Sequence, residues 1–397
     1  MERGRTSTTA WQVFLVFLRL GLTSFGGPVA HLGYFREEFV ARKKWLSEQS
    51  YADIVALCQF LPGPASSQVG LAVGLSHAGY QGALAAWAGF TLPSALALTI
   101  FALSLGVFDE SVLPGMLQGL KIVAVAVVAQ AVWGMAKSLC PDTLRASLMA
   151  LYAAVILLAP SVWTQVAVIA LAGLAGLFLF KPGPAASREA LSLPVSRRAG
   201  LLWLGIFFSG LIILPLLASI LPSQTLALLD AFYRAGSLVF GGGHVVLPLL
   251  QAEVVPPGWV DANTFLAGYG AAQAVPGPLF TFASFLGAAM QTAPSGWTGS
   301  IICLLAIFAP SFLLVAGALP FWETLRHNLR MQAALTGINA AVVGILLAAL
   351  YDPVWTSAIH APQDFALALL AFIALMFWKL PPWLVVLVCA VLGWLLF

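Results

Sequence analysis

The residues best suited to bind a ligand gather at four short segments rich in glycine and proline. Two contain a double glycine, Phe25-Gly-Gly-Pro28 and Phe240-Gly-Gly-Gly243, and two contain Pro-Gly-Pro, at residues 62–64 and 276–278. Proline removes a backbone donor and glycine weakens a helix, so each segment should break a helix and leave backbone amides free. Amides at a helix N-terminus carry about half an elementary charge and bind oxyanions well. The four breaks therefore predict a binding site for an anion.

Residues that can donate hydrogen bonds, through a side chain or through a backbone amide, lie at these breaks. The candidate binding residues of the first pair of breaks are Ser24, Gly26, Gly27, His31, Gln59, Gly63, Ser66 and Gln68, with Ser67 beside them. Those of the second pair are Gly241, Gly242, Gly243, His244, Gln273 and Gly277, with Thr281 beside them. His31 and His244 do not occupy equivalent positions, so a polar contact without binding explains them as well as ligand binding does.

Three cations lie in apolar surroundings near the breaks. Arg19 and Arg234 precede their glycines by about two turns, and an unpaired charge inside a membrane costs at least about 2.5 kcal/mol. A bound anion would compensate for that cost, and so would snorkelling or a carboxylate such as Asp53 or Asp230. Because both arginines recur at one repeat position, we expect them to bind the anion. Lys121 is a third candidate cation.

The sequence carries no pattern typical of catalysis or of a metal site. It contains no Gly-x-Ser-x-Gly, no His-Glu-x-x-His and no paired intramembrane aspartates. Cys58, Cys140, Cys303 and Cys389 are far apart and lack metal-ligand spacing, so we interpret them as reduced packing residues. We predict no catalytic residue, no metal and no cofactor. An intramembrane enzyme remains a remote alternative.

The segments that position the breaks are apolar and long. Hydrophobic residues make up 61% of the 397 positions and charged residues 8%, with a mean hydropathy of +0.96, whereas about a quarter of a soluble domain is charged. Runs such as 82–107 and 122–135 match or approach the roughly 20 residues that cross a bilayer as a helix, and they lack the alternation of a membrane barrel. We predict an all-α polytopic membrane protein of about 10–13 membrane segments. Lipid is then a direct partner, and nucleic acid is not.

One repeat, used twice, contains the four breaks. Residues 17–27 align with residues 232–242, and residues 59–64 align with residues 273–278. A weaker match gives Lys121 the neutral counterpart Asn339. Ser47 and Asp261 begin equivalent segments and are predicted to be helix N-caps. The predicted domains are a first repeat (1–180), a cytoplasmic linker (181–199), an extra transmembrane helix (200–222) and a second repeat (223–397).

Loop charges predict that the two repeats face opposite ways. Cytoplasmic loops collect Lys and Arg, and the basic loop 36–44 corresponds to residues 251–258, which contain no basic residue. Two further pairs of loops show the same contrast: Asp109 and Glu110 correspond to Arg326, His327 and Arg330, and Lys137 and Arg145 correspond to Asp352 and Asp364. The extra segment 201–221 supplies the odd crossing that inversion needs. We predict a cytoplasmic N-terminus and an outside C-terminus, with re-entrant hairpins or full antiparallel pairs at the breaks. The two halves would rock about a site near their pseudo-twofold axis.

Taken together, these motifs resemble those of the chromate ion transporter family. The resemblance rests on an Arg followed by Phe-Gly-Gly and then a Gln-x-x-Pro-Gly-Pro in both halves, and it covers essentially the whole chain. Gly243 stands where the first half has Pro28, and Val275 where it has Leu61. The resemblance implies export of chromate across a bacterial inner membrane, which confers chromate resistance and is coupled to protons or the membrane potential. A homodimeric assembly is left open.

Neither composition nor spacing selects chromate over other anions. Chromate and sulfate are both tetrahedral dianions, and amides and hydroxyls would separate them poorly. Sulfate or another anion is therefore an alternative substrate. Export is favoured because moving a dianion out of a negative compartment releases about 4.6 kcal/mol per 100 mV, at about 2.3 kcal/mol per charge.

Overall fold

The computed structural model describes residues 9–105, 113–181, 195–240 and 243–396. Within these ranges the chain is predominantly helical and contains no β-strand, which confirms the predicted all-α fold. Most of the predicted linker 181–199 lies outside the described residues, and so do the candidate residues Gly241 and Gly242.

The helices fall into two halves joined by one long helix. The first half contains α1 (Ala10–Thr23), α2 (Gly27–Arg36), α3 (Glu48–Phe60), α4 (Ala65–Ser104), α5 (Leu113–Leu139), α6 (Thr143–Leu158) and α7 (Val162–Leu179). The joining helix is α8 (Arg197–Ile220). The second half contains α9 (Gln224–Leu238), α10 (Val246–Val254), α11 (Ala262–Ala272), α12 (Phe282–Ala288), α13 (Gly296–Ala318), α14 (Trp322–Arg326), α15 (Leu329–Ala349), α16 (Thr356–Ala358), α17 (Pro362–Met376) and α18 (Pro382–Leu396). Short 3₁₀ or π-helical turns cover Glu37–Arg42, Gly243–Val245, Leu279–Thr281, Leu319–Phe321 and Leu350–Trp355.

Among the described residues, five helical segments are long and apolar enough to cross a membrane. They are Ala65–Ser104, Pro114–Leu139, Arg197–Ile220, Gly296–Phe321 and Leu329–Ala358. Six shorter apolar helices accompany them, including α6, α7, α17 and α18. The protein is therefore a multi-pass membrane protein, as the composition predicts.

The first hairpin joins α1 to α2 through the double glycine. Phe17 on α1 contacts Phe35 on α2 and Phe39 in the π-helical turn that follows α2, so the two arms run antiparallel. Gly26 and Gly27 have φ angles of 100° and 78°, in the left-handed region that glycine adopts without a steric penalty. The chain thus reverses at the predicted break.

The second half repeats this hairpin between α9 and α10. Arg234 on α9 pairs with Glu253 on α10, as Arg19 on α1 pairs with Glu38 after α2. Both members of the pair shift by the same number of residues between the halves. The two hairpins are therefore copies of one structural unit.

A second hairpin in each half turns at Pro-Gly-Pro. It joins α3 to the part of α4 before the backbone break at Ala78 and Gly79 in the first half, and α11 to α12 in the second. Ser47 and Asp261 begin these hairpins as N-caps, because their side-chain oxygens accept from the amides of Ser50 at 3.0 Å and Thr264 at 2.9 Å. The two predicted caps are confirmed.

The two halves exchange their C-terminal helices. α7 of the first half packs on α15 of the second, and α18 of the second half packs on α5 of the first. A Cβ on Gly119 of α5 would overlap the carbonyl of Cys389 in α18, and a Cβ on Gly337 of α15 would overlap that of Ala172 in α7. Glycine permits this close helix contact, as is common in membranes. The fold is one interlocked unit rather than two adjacent halves.

Candidate functional site

The four breaks meet in two reciprocal contacts between the halves. The amide of Gly277 donates to the carbonyl of Ser24 at 2.9 Å, and the amide of Gly63 donates to the carbonyl of Val239 at 2.6 Å. Gly277 and Gly63 are repeat counterparts, and so are Ser24 and Val239. Each Pro-Gly-Pro turn is therefore held by the first hairpin of the other half.

A serine from the opposite half faces each of these two glycines. A Cβ on Gly277 would lie 2.8 Å from Ser94 Oγ, and a Cβ on Gly63 would lie 2.8 Å from Ser311 Oγ. Both glycines also have positive φ angles, of 97° and 122° respectively. Glycine is thus required at both turns by conformation and by space. Sequence reasoning missed the two serines, although a Pro-Ser pair recurs inside the long helices α4 and α13.

A pocket of about 60 Å³ adjoins the Gly277 contact. It lies between the start of α2, the second-half Pro-Gly-Pro turn and the middle of α5, and none of its described lining residues is acidic. Five predicted residues line it together: Gly26, Gly27, His244, Gln273 and Gly277. The remaining lining residues are Pro28, Val127, Gln130, Ala272, Val275, Leu279 and Pro382.

The polar groups at this pocket can serve an anion. The side-chain nitrogen of Gln273 is buried and has no hydrogen-bond partner. α2 begins at the pocket, and no side chain caps its N-terminus. His244 Nδ1 lies 2.7 Å from the hydroxyl of Tyr269, which fixes the orientation of the ring. The pocket therefore combines an unused amide donor with the positive end of a helix dipole.

Other predicted residues of the first half form a second buried polar group. His31 Nδ1 lies 3.3 Å from Ser66 Oγ, and its ring packs edge-on against Phe90. The side-chain nitrogen of Gln68 donates to the Pro62 carbonyl at 2.6 Å. This group does not line the pocket at Gly277. Its buried polar atoms without a hydrogen-bond partner are Ser24 Oγ, His31 Nε2, Ser67 Oγ and Gln68 Oε1, with Ser311 Oγ close to Gly63.

Three further predicted residues lie apart from the pocket lining. Gln59 is exposed on α3, and Lys121 donates to the side-chain oxygen of Asn263 at 3.1 Å. Gly243 is buried, and the nearest side chains to a Cβ placed there would be those of Pro28 and Leu279. The Pro-Gly-Pro motif places Gln273 at the pocket but does not place its counterpart Gln59 there.

Arg19 and Arg234 are both paired with carboxylates. Arg19 contacts Glu38, and Arg234 contacts Asp230 at 2.9 Å and Glu253 at 3.0 Å. Pairing with carboxylates, the alternative to anion binding, thus compensates the positive charges of both arginines. Asp230, which the sequence offered as such a partner, does pair with Arg234. Glu38 and Glu253 were missed, although they recur at one repeat position just as the arginines do. Anion binding by the arginines stays a prediction.

Comparison with known proteins agrees with the repeat. A family model described as chromate transporter matches residues 11–177 and again residues 226–394. The chain is 28% identical to a chromate transport protein of Pseudomonas aeruginosa, over 97% of this chain and 92% of that protein. It is 25% identical to a chromate transport protein of Cupriavidus metallidurans, with the same coverage of both chains.

A third relative has no assigned substrate. It is an uncharacterized transporter of Methanocaldococcus jannaschii, 29% identical over 100% of this chain and 96% of that protein. No solved structure matches the chain. Because the family model matches both halves and thereby most of its length, this chain belongs to the chromate transporter family.

Proposed function

We propose that this protein is a secondary transporter that exports chromate from the cytoplasm across the bacterial inner membrane and so confers chromate resistance. Two relatives that span nearly the whole chain carry the name chromate transport protein. The observation that carries the proposal is the reciprocal contact of Gly277 with Ser24 and of Gly63 with Val239. It brings the amides of both repeats to one interface, beside a pocket whose described lining is free of acidic groups.

In the proposed bound state the oxyanion lies in the pocket at the start of α2. The amides that follow Gly26 supply partial positive charge, and the Gln273 side chain donates a hydrogen bond. Leaving that buried nitrogen without a partner costs about 1–3 kcal/mol, so an anion oxygen that accepts from it is stabilised by the protein. His244 and the Gly277 turn close the pocket. The site needs no metal and no cofactor.

The buried polar group around His31 is the proposed continuation of the path in the first half. Ser24, Ser66 and Gln68 belong to it, and Gly63 joins it to the second reciprocal contact. Several of its polar atoms have no protein partner. An oxyanion or water passing between the halves would satisfy them.

We further propose a cytoplasmic N-terminus and an outside C-terminus. α4 is interrupted at Ala78 and Gly79, whose backbone is not helical. If each hairpin returns to its own side, the first half crosses the membrane with the part of α4 after this break and with α5, α6 and α7, and α8 makes the number of crossings odd. The loops at Gln251 and Asp352 are assigned to the outside because they lack basic residues, and the loop at Ser161 is assigned there by counting membrane crossings. All three residues line one cavity of about 140 Å³. Their proximity supports a common face for the three loops.

Chromate and sulfate flux through the purified protein in liposomes tests the function. Vesicles loaded with chromate should release it faster with protein than without, and an imposed pH gradient separates proton coupling from voltage alone. Sulfate should compete, because both ions are tetrahedral dianions. Sulfate flux without chromate flux would establish the alternative anion transporter, and the absence of any anion flux would remove transport from consideration.

A further inference from the structure

Three cations surround one buried carboxylate at the far end of the first hairpin. Glu38, whose side chain is 6% exposed, contacts Arg19, Arg42 at 3.3 Å and Lys43 at 4.0 Å. The three cationic side chains remain between 35% and 59% exposed. We call these four residues the Glu38 cluster. Its three positive charges exceed its single negative charge, and the cationic side chains lie at the surface of the protein.

Neighbouring charges preserve this excess. Arg36 pairs with Glu48 at 2.6 Å, and the nearby Lys44 and Glu37 offset each other in formal charge. The segment therefore stays net positive when its whole set of charges is considered. Lys43 also lies over the ring of Trp45, 5.5 Å from its centroid, which fits a side chain at the edge of a membrane.

The repeat counterpart has the opposite balance. Arg234 lies between Asp230 and Glu253, and all three side chains are at most 16% exposed. The segment that corresponds to Arg42 and Lys43 contains no basic residue, since residues 255–258 read Val-Pro-Pro-Gly. One cation thus faces two carboxylates. The same hairpin ends with three cations around one carboxylate in the first half and with one cation between two buried carboxylates in the second.

The Glu38 cluster is connected to the pocket by α2 but is distinct from it. Gly27 lines the pocket, and Glu38 follows eleven residues later, which corresponds to roughly 16 Å along a helix. An anion held at the cluster would therefore be outside the binding pocket and at the end of the helix that leads to it.

We propose that the Glu38 cluster is a capture site for dianionic oxyanions on the cytoplasmic face. This inference rests on the proposed export function and orientation. A cationic mouth raises the local concentration of an anion by roughly 10- to 1,000-fold at low salt. The asymmetry does not decide the direction of net transport, which the electrochemical gradient sets. The Glu38 cluster instead lowers the chromate concentration needed for half-saturation on the cytoplasmic face.

Chromate uptake by everted membrane vesicles tests the capture site, because their cytoplasmic face points outward. The variant Arg42→Gln/Lys43→Gln removes two exposed charges and leaves Arg19 on Glu38. We expect half-saturation to require roughly three- to tenfold more chromate at low salt, with a maximal rate within about twofold of the unmodified protein's. High salt should abolish the difference. The matched control Lys137→Gln/Arg145→Gln removes two charges from another loop assigned to the same face and should leave half-saturation unchanged.

Unchanged half-saturation in the Arg42→Gln/Lys43→Gln variant, or an equal shift in both double variants, would overturn the capture site. Anionic lipid headgroups share the chemistry of the substrate, so the comparison is repeated in liposomes of zwitterionic lipid only. A shift that persists there belongs to the free oxyanion, and one that disappears belongs to the lipid and overturns the proposal. If the unmodified protein carries no chromate, the proposed function fails and the capture site fails with it.

Discussion

The amide of Gly277 donates a hydrogen bond of 2.9 Å to the carbonyl of Ser24, and the repeat-related pair Gly63 and Val239 makes the corresponding bond at 2.6 Å. A Pro-Gly-Pro turn from one half thus docks on the broken first hairpin of the other half. The docking is reciprocal, so neither half completes its own turn. The interface between the halves is where broken backbone is stabilised by protein rather than by lipid.

Replacing Gly277 with alanine should abolish most transport. Alanine is strained at a φ of 97° by about 1–2 kcal/mol, and its Cβ would lie 2.8 Å from Ser94 Oγ. We expect chromate flux in liposomes to fall by about tenfold or more. Gly258→Ala is the matched control, because Gly258 has a φ of 74° but no neighbour within 4 Å of a Cβ. An equal loss of flux in the two variants would assign the defect to positive φ alone and not to the Ser94 contact, and undiminished flux in Gly277→Ala would contradict the prediction.

Replacing Gln273 with alanine should weaken substrate binding without unfolding the protein. The variant loses a donor that has no protein partner, and a hydrogen bond to a charged group contributes about 1.5–3 kcal/mol. We expect the chromate concentration for half-maximal flux to rise roughly 10- to 100-fold. Gln59→Ala removes the exposed repeat counterpart and should have little effect. A larger defect for Gln59→Ala than for Gln273→Ala would contradict the assignment of the pocket.

The two arginine pairs should differ in their effect on stability. Arg234→Ala leaves Asp230 and Glu253 facing each other in a largely buried site, and breaking such a pair costs about 3–5 kcal/mol. Arg19→Ala should cost less, because Glu38 keeps Arg42 and Lys43 as partners. Thermal unfolding of the purified variants checks the order. A lower melting temperature for Arg19→Ala than for Arg234→Ala would contradict this order.

Cysteine labelling should place the two first-hairpin loops on opposite faces. The native cysteines are all buried, so a membrane-impermeant maleimide should react mainly at an introduced residue. Lys44→Cys should react from the cytoplasmic side and Gly258→Cys from the outside. Reaction of both from one side would rule out the inverted arrangement of the repeats.

Much of the fold follows from the sequence because the repeat is carried by residues that break helices. The double glycines and Pro-Gly-Pro triplets predict hairpin turns, and the structure has a turn at each described break. Helix partners do not follow in this way, since a uniformly apolar helix does not indicate which neighbour it contacts. The exchange of α7 and α18 between the halves is therefore not predictable from the sequence, although Gly119 and Gly337 each stand two residues before the aligned pair Lys121 and Asn339.

The exchange also bears on the expected rocking of one half against the other. Both large apolar cores draw residues from both halves, as Phe17 with Leu314 and Val123 with Phe265 show. Separating residues 1–180 from residues 223–397 as rigid blocks would break both cores. Any rocking of the halves must therefore keep these shared cores intact.

The site was only partly predictable, for a different reason. Gly26, Gly27, His244, Gln273 and Gly277 share the pocket because their motifs form turns that dock on each other. Ser94 and Ser311 carry no motif of their own beyond the recurring Pro-Ser pair. The basic residues of loop 36–44 indicate orientation, and that signal does not reveal that Glu38 within the loop pairs with Arg19. Loop charge and side-chain contact are different signals from the same residues.

Voltage-driven chromate release from liposomes tests most directly whether an anion crosses the membrane between the two docked halves. Vesicles loaded with chromate and given an inside-negative potential should release it faster than vesicles at zero potential, since about 4.6 kcal/mol per 100 mV drives a dianion outward. Gly258→Ala should retain this release and Gly277→Ala should lose it. The absence of chromate release under both a voltage gradient and a pH gradient, or equal release from the unmodified protein and Gly277→Ala, would show that no anion crosses there.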